Sequence, residues 1–151
     1  MTVKTLVAEA VNKYGDRKEN LLPILQHIQS KEHHLSREAL QEVAAALDLS
    51  SAEVYGTASF YSFLNTEECG KNIIKICKSI SCDLKGRSEI VSTIENKLKI
   101  KAGQTTKDKK FSFIEVNCLG WCHQAPAMLI NDKPYTELTP EKVVAALEEY
   151  K

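Results

Sequence analysis

Four cysteines constrain this 151-residue chain more than any other feature: Cys77 and Cys82 enclose four residues, Cys118 and Cys122 enclose three, and 35 residues separate the pairs. Each pair follows a segment that reads as a strand. "NIIKIC" is a short β-branched run ending on Cys77, and "FSFIEVN" alternates apolar and polar residues up to Cys118. Between the pairs, "DLKGRSEIVSTIENKLKI" carries Leu84, Ile90, Val91, Ile94 and Leu98 at helical spacing, and "KAGQTTKDKK" reads as a polar loop.

Beyond the second pair, "AMLI" and "KPYTEL" flank an Asn131-Asp132 turn as a hairpin, and Thr139-Pro140-Glu141 caps and starts a last helix carrying Val143, Val144 and Leu147. The order β-α-β-β-β-α predicts a small mixed sheet with helices packed on it, the outline of a thioredoxin-like domain. If the two cysteine-bearing strands are parallel neighbours, both loops leave the same edge of the sheet and four thiols converge there.

The first segment has a different period. Val3, Leu6, Val7, Ala10, Val11 and Tyr14 mark one face of a helix that Gly15 can end in a left-handed cap. Asn20 is placed to cap "LLPILQHIQSK", with Pro23 tolerated in its first turn. Ser36 opens "REALQEVAAALDL", and Ser50 with Glu53 fits a capping box for a short fourth helix running toward Phe60. Residues 1–65 therefore read as a helical bundle, and 66–151 as the thioredoxin-like α/β domain of an α+β chain. Charge supports a boundary near residue 70: residues 1–70 hold six basic and ten acidic side chains, and residues 71–151 hold fourteen and ten. The whole has no net charge, so neither a nucleic-acid binder nor a polybasic membrane binder is suggested. No window approaches the 18 or so apolar residues of a membrane span, and the N-terminus lacks a long apolar core. A cytoplasmic location is expected, where five cysteines serve more often as metal ligands or catalytic thiols than as disulfides.

The spacing of the four thiols bears on the metal. Zinc knuckles usually hold two to four residues between ligands, so the pattern admits zinc. An iron–sulfur rhomb is wider than one ion and suits longer, glycine-containing loops whose backbone N–H groups can reach sulfur. A [2Fe-2S] cluster fits best, whereas a thioredoxin-type dithiol would need C-x-x-C at a helix start, which neither pair provides.

"CKSISCDLKG" followed by "VNCLGWCHQAP" resembles the thioredoxin-like [2Fe-2S] ferredoxin subunits of NADH dehydrogenase, NAD-linked bifurcating hydrogenases and formate dehydrogenases, and "LSREALQEVAAALDLSSAEVYGTASFYSF" is similar to that family's N-terminal bundle. The resemblance implies one [2Fe-2S] cluster on Cys77, Cys82, Cys118 and Cys122, in loops shaped by Gly86, Gly120 and Pro126. It implies an electron carrier that exchanges electrons with an FMN-containing, NAD(P)H-oxidising flavoprotein subunit, alongside a further iron–sulfur catalytic subunit. The bundle and the exposed cluster edge would dock the flavoprotein. No nucleotide-binding glycine motif, flavin site or acid–base pair is apparent, so the chain alone should not oxidise NADH.

Two departures from the family pattern stand in the loops: Lys78-Ser79-Ile80-Ser81 lacks the small Thr-Gly-like residues usual after the first ligand, and His123 stands where glycine is general. Lys78 could favour the reduced, more negative cluster, but a solvated lysine is strongly screened. His123 is not needed as a ligand because four thiols complete the set; Cys69 reads as a free thiol, His33-His34 as loop, and Trp121 as a cover for the cluster or as docking surface. The six lysines of "KLKIKAGQTTKDKK" read as a solvated rim. The rival function is a zinc or iron–sulfur helix-turn-helix regulator built on "LQEVAAALDLSSAEVYGTASF". Residues 51–63 contain no Lys or Arg and include Glu53, which leaves that helix without phosphate-neutralising side chains.

Overall fold

The computed structural model describes residues 2–150. The chain forms two compact units, Met1–Glu68 and Cys69–Lys151.

The first unit holds four helices, α1 (Val3–Tyr14), α2 (Leu21–Glu32), α3 (Arg37–Ala46) and α4 (Ser51–Phe60). Their apolar stripes meet in one core that includes Leu6, Val7 and Ala10 of α1, Ile24, Leu25 and Ile28 of α2, Leu40 and Val43 of α3, and Val54 and Ala58 of α4. Ser36 and Ser50 cap as their positions predict: the Ala39 N–H donates to the Ser36 hydroxyl at 3.1 Å and the Glu53 N–H to that of Ser50 at 3.2 Å. Two expected caps differ. A short 3-10 turn, Lys18–Asn20, precedes α2, so the backbone of Asn20 is not extended and its side chain makes no capping bond. Gly15 has φ +94° but an extended ψ, outside the left-handed region, although its N–H still returns to the Val11 carbonyl at 2.7 Å. The chain beyond α4 is fastened by Gln29, whose amide donates to the Phe63 carbonyl at 2.7 Å and accepts from the Asn65 N–H at 2.5 Å.

The second unit is a five-stranded sheet in the order β2-β3-β1-β4-β5, formed by β1 (Asn72–Cys77), β2 (Gln104–Thr105), β3 (Phe111–Val116), β4 (Met128–Ile130) and β5 (Lys133–Tyr135). Strands β1 and β3 are parallel, with Asn72 opposite Phe111 and Cys77 opposite Val116; the other pairings are antiparallel. The crossover consists of a single turn, α5 (Ile80–Asp83), and the longer α6 (Arg87–Leu98), and α7 (Pro140–Glu148) closes the chain. Ile74, Ile76, Phe113, Met128 and Ile130 from alternate strand positions pack with Ile90 and Ile94 of α6 and Val143, Ala146 and Leu147 of α7 in the second core. The Thr139 hydroxyl accepts from the Lys142 N–H, and Pro140 sits in the first turn of α7, where a missing N–H costs nothing. Strand β2 lies inside the segment read as a polar loop. Two polar residues at a sheet edge have no apolar alternation to betray them, and only their pairing with Phe113 and Ser112 defines the strand. Among the described residues no helix is long and apolar enough to cross a membrane.

Candidate metal centre

The parallel register of β1 and β3 determines where the thiols stand. Cys77 is the last residue of β1, level with Val116 at the end of β3, and Cys118 follows two residues later. Both cysteine-bearing loops therefore leave the sheet at the same end. Two backbone bonds hold that end together: the Cys77 N–H donates to the Ala127 carbonyl at 3.2 Å and the Lys78 N–H to the Val116 carbonyl at 2.9 Å.

Each pair is brought together by its own loop. The turn α5 places Cys82 beside Cys77, where both are buried with Ala125 and packed by Leu119. In the second loop the Cys118 and Cys122 sulfurs are 3.3 Å apart and both side chains are exposed. Gly120, between them, has φ +87°, a conformation that a residue with a Cβ adopts only under strain. Its N–H points at the Cys118 sulfur, 3.3 Å away. The segment after Cys122 is a short 3-10 turn, Cys122–Gln124, leading to buried Pro126, whose peptide bond with Ala125 is cis. None of the five cysteines is in a disulfide.

Burial and neighbouring hydrogen-bond donors together set the electrostatics of the buried pair. Burial pushes the Cys77 thiol up, yet hydrogen bonds from the Ser79 hydroxyl and N–H and from the Leu119 N–H outweigh it and hold the thiol below its ordinary value. Burial holds Cys82 above its ordinary value despite a bond from the Ala127 backbone, and the neighbouring Cys77 adds to the rise. Cys122 is raised first by the adjacent Cys118 and opposed by the Ser81 hydroxyl; it also senses Cys77, so the two loops are electrostatically in contact. Ser79 and Ser81 thus serve as sulfur donors in the loop whose composition departs from the family pattern. Their signal in the sequence is two hydroxyls interleaved between two thiols, but which sulfur each meets depends on the turn.

The remaining candidates lie at varied distances from this edge. Trp121 is partly exposed and stacks on His123, with ring centroids 6.1 Å apart and an interplanar angle of 26°. Lys78 is exposed. Cys69 is half-buried at the start of the second unit, and His33 is the left-handed cap of α2, its neighbour His34 lying 3.1 Å from the Glu32 carbonyl. Gly86 precedes α6 with φ +88°. Exposed apolar side chains occur on both cysteine loops, Ile80 and Leu84 on the first and Trp121 on the second. In the first unit, Tyr55 and Phe60 of α4, with Tyr61 and Phe63 just beyond, are exposed aromatics, so the second helix of the α3–α4 pair presents rings rather than base-reading cations.

Among the described residues no three His, Cys, Asp or Glu side chains surround a single point that would hold one ion. The thiols stand two and two. A two-iron, two-sulfide core takes two thiolates on each iron and draws stabilisation from N–H groups directed at sulfur, so this donor set suits its chemistry.

The family model described as thioredoxin-like [2Fe-2S] ferredoxin matches residues 7–151. The chain is 39% identical over 138 residues to a subunit of the NADH-quinone oxidoreductase of Buchnera aphidicola subsp. Acyrthosiphon pisum (strain APS), covering 91% of this chain and 85% of that protein. It is 37% identical over 147 residues to an NADH-quinone oxidoreductase subunit of Rickettsia bellii (strain RML369-C), covering 95% and 88%. Among solved structures, an NAD+-reducing [NiFe]-hydrogenase in the air-oxidized state superposes with a TM-score of 0.77 at 29% identity over 86% of this chain. The match spans only 22% of that hydrogenase chain.

Proposed function

The chain belongs to the thioredoxin-like [2Fe-2S] ferredoxin family, and from that premise we propose that it is the electron-transfer subunit of an NADH-oxidising complex, holding one [2Fe-2S] cluster on Cys77, Cys82, Cys118 and Cys122. The observation that carries the reading is the pairing of four thiols at the common end of two parallel strands, with the Gly120 N–H directed at the Cys118 sulfur. When bound, such a cluster accepts and returns one electron at a time.

The chain's own residues hold and tune the site. The N–H groups of Ser79, Leu119, Gly120 and Ala127 and the hydroxyls of Ser79 and Ser81 stabilise negative charge on sulfur, which favours the thiolate and raises the ease of reduction. Burial of Cys77 and Cys82 excludes water from one side, while exposed Cys118 and Cys122 leave the other side open to a partner. That partner is an FMN-containing flavoprotein subunit that oxidises NAD(P)H, and the chain itself performs no hydride chemistry. Ile80, Leu84 and Trp121 supply apolar docking surface beside the open side, and residues 1–65 supply more through the exposed rings of Tyr55 and Phe60.

Metal analysis tests the cofactor. Protein purified without oxygen should be red-brown and contain about two irons and two sulfides per chain. A colourless protein that keeps one zinc after anaerobic reconstitution in competing iron and sulfide would overturn the assignment.

A further inference from the structure

Arg87 occupies an unfavourable place for a cation. It is the first residue of α6, the positive end of the helix dipole, and its side chain is only 14% exposed. Its Nε is buried without an acceptor. Neither helix electrostatics nor solvation accounts for an arginine there, but its two terminal nitrogens do. One lies 3.4 Å from a carboxylate oxygen of Asp83, and the other donates to the carboxylate of Glu115. Asp83 immediately follows Cys82 at the end of the first cysteine loop. Glu115 stands on β3, three residues before Cys118.

We infer that Arg87 is a positioning residue that clasps the first cysteine loop to the strand carrying the second, and so sets the distance between the two thiol pairs. The inference rests on the proposed cluster site. Within the site the loops are also joined by backbone bonds at the strand ends, close to Cys77, and Leu119 of the second loop packs on the buried pair; Cys82 and Cys122 are carried on short turns and Cys118 on the loop beyond β3. A planar guanidinium with two forked ends can hold two carboxylates at a fixed separation, whereas an ammonium presents a single point charge. With the clasp intact Asp83 and Glu115 are compensated; without it, two unpaired carboxylates flank the cysteine loops and the turn bearing Cys82 is free to shift relative to β3.

The test compares the anaerobically reconstituted full chain with Arg87→Ala, Arg87→Lys, Glu115→Gln and the Arg87→Ala/Glu115→Gln double variant. The measurements are the rate of cluster loss to an iron chelator and the g values of the dithionite-reduced protein by electron paramagnetic resonance. Arg87→Ala should lose its cluster on the order of tenfold faster, the size seen when groups supporting metal ligands are removed. Its g values should shift, while the circular dichroism of the metal-free protein stays the same. Arg87→Lys should fall between, Glu115→Gln should move in the same direction, and the double variant should cost less than the sum of the two because they break one interaction. If Arg87→Ala failed to fold, Glu115→Gln and Arg87→Lys would decide alone. Wild-type lifetimes and g values in these variants would overturn the clasp and leave the cluster assignment standing. A wild-type chain that takes up no cluster would bring down both.

Discussion

Replacing any one of Cys77, Cys82, Cys118 or Cys122 by alanine should abolish the two-iron cluster, whereas Cys69→Ala and His123→Ala should retain it. In the proposed site each of the four supplies one thiolate, and its loss leaves the set one ligand short. Cys69 lies before β1, away from the thiol-bearing turns in the sequence, and His123 stacks on Trp121. The expected effect is complete loss of iron–sulfur absorbance in the first set and no loss in the second, read after parallel anaerobic reconstitution. Fold must be checked at the same time, since Cys77 and Cys82 are buried among Ala125 and Leu119. Alanine there removes little volume, so the metal-free variants should keep the circular dichroism of the metal-free wild type. Cluster loss in Cys69→Ala together with retention in Cys77→Ala would reverse the ligand assignment.

The second large effect concerns the source of electrons. The isolated chain should show no NADH oxidation and no reduction by NADH, and should become fully reducible when mixed with the proposed partner, an FMN-containing flavoprotein that oxidises NAD(P)H. The aromatic end of the first unit should contribute to that association. Phe60 is 80% exposed and Tyr55 55% exposed, a costly display for a surface that meets only water. Changing both to serine should weaken flavoprotein binding by about 2 kcal/mol or more, roughly thirtyfold, as expected for aromatic anchors at an interface. Variants that lack the cluster should still bind if this surface supplies much of the contact. Unchanged affinity in the doubly substituted chain would remove the docking role from the helices, and NADH oxidation by the isolated chain would overturn the carrier reading itself.

Much of the architecture was legible because its signals are local. The β-branched run ending at Cys77, the alternating segment ending before Cys118 and the helical spacing between them specify a crossover unit, and a helical crossover lets the flanking strands lie parallel. Once β1 and β3 are neighbours, the convergence of their loops follows from where the chain places Cys77 and Cys118. The features that escaped are those for which local pattern carries no information. Strand β2 is two residues long and polar, and exists only through its partner β3. The turn α5 lies inside a cysteine loop too short for any period. The 3-10 turn before α2 replaced a cap that the identity of Asn20 alone would favour. The tie of Arg87 to Glu115 spans 28 positions and emerges only when β3 is laid beside the crossover.

The serine-rich first loop illustrates the same limit within the site. Lys78-Ser79-Ile80-Ser81 differs from the small residues usual there, and its composition does not say which sulfur each hydroxyl affects. In the folded loop Ser79 lowers the Cys77 thiol and Ser81 opposes the rise of Cys122. Both favour the charged sulfur. Lys78, by contrast, is exposed to solvent, which screens its charge.

The central claim is that these four thiols hold a single one-electron centre. Low-temperature electron paramagnetic resonance of the chain, reduced by dithionite after anaerobic reconstitution, tests it most directly. A two-iron cluster on one thiol set predicts a single spin-half signal integrating to about one unpaired electron per chain, absent from the oxidised protein. A reduced protein that stays silent while retaining one zinc, or a signal that survives in Cys118→Ala, would contradict it.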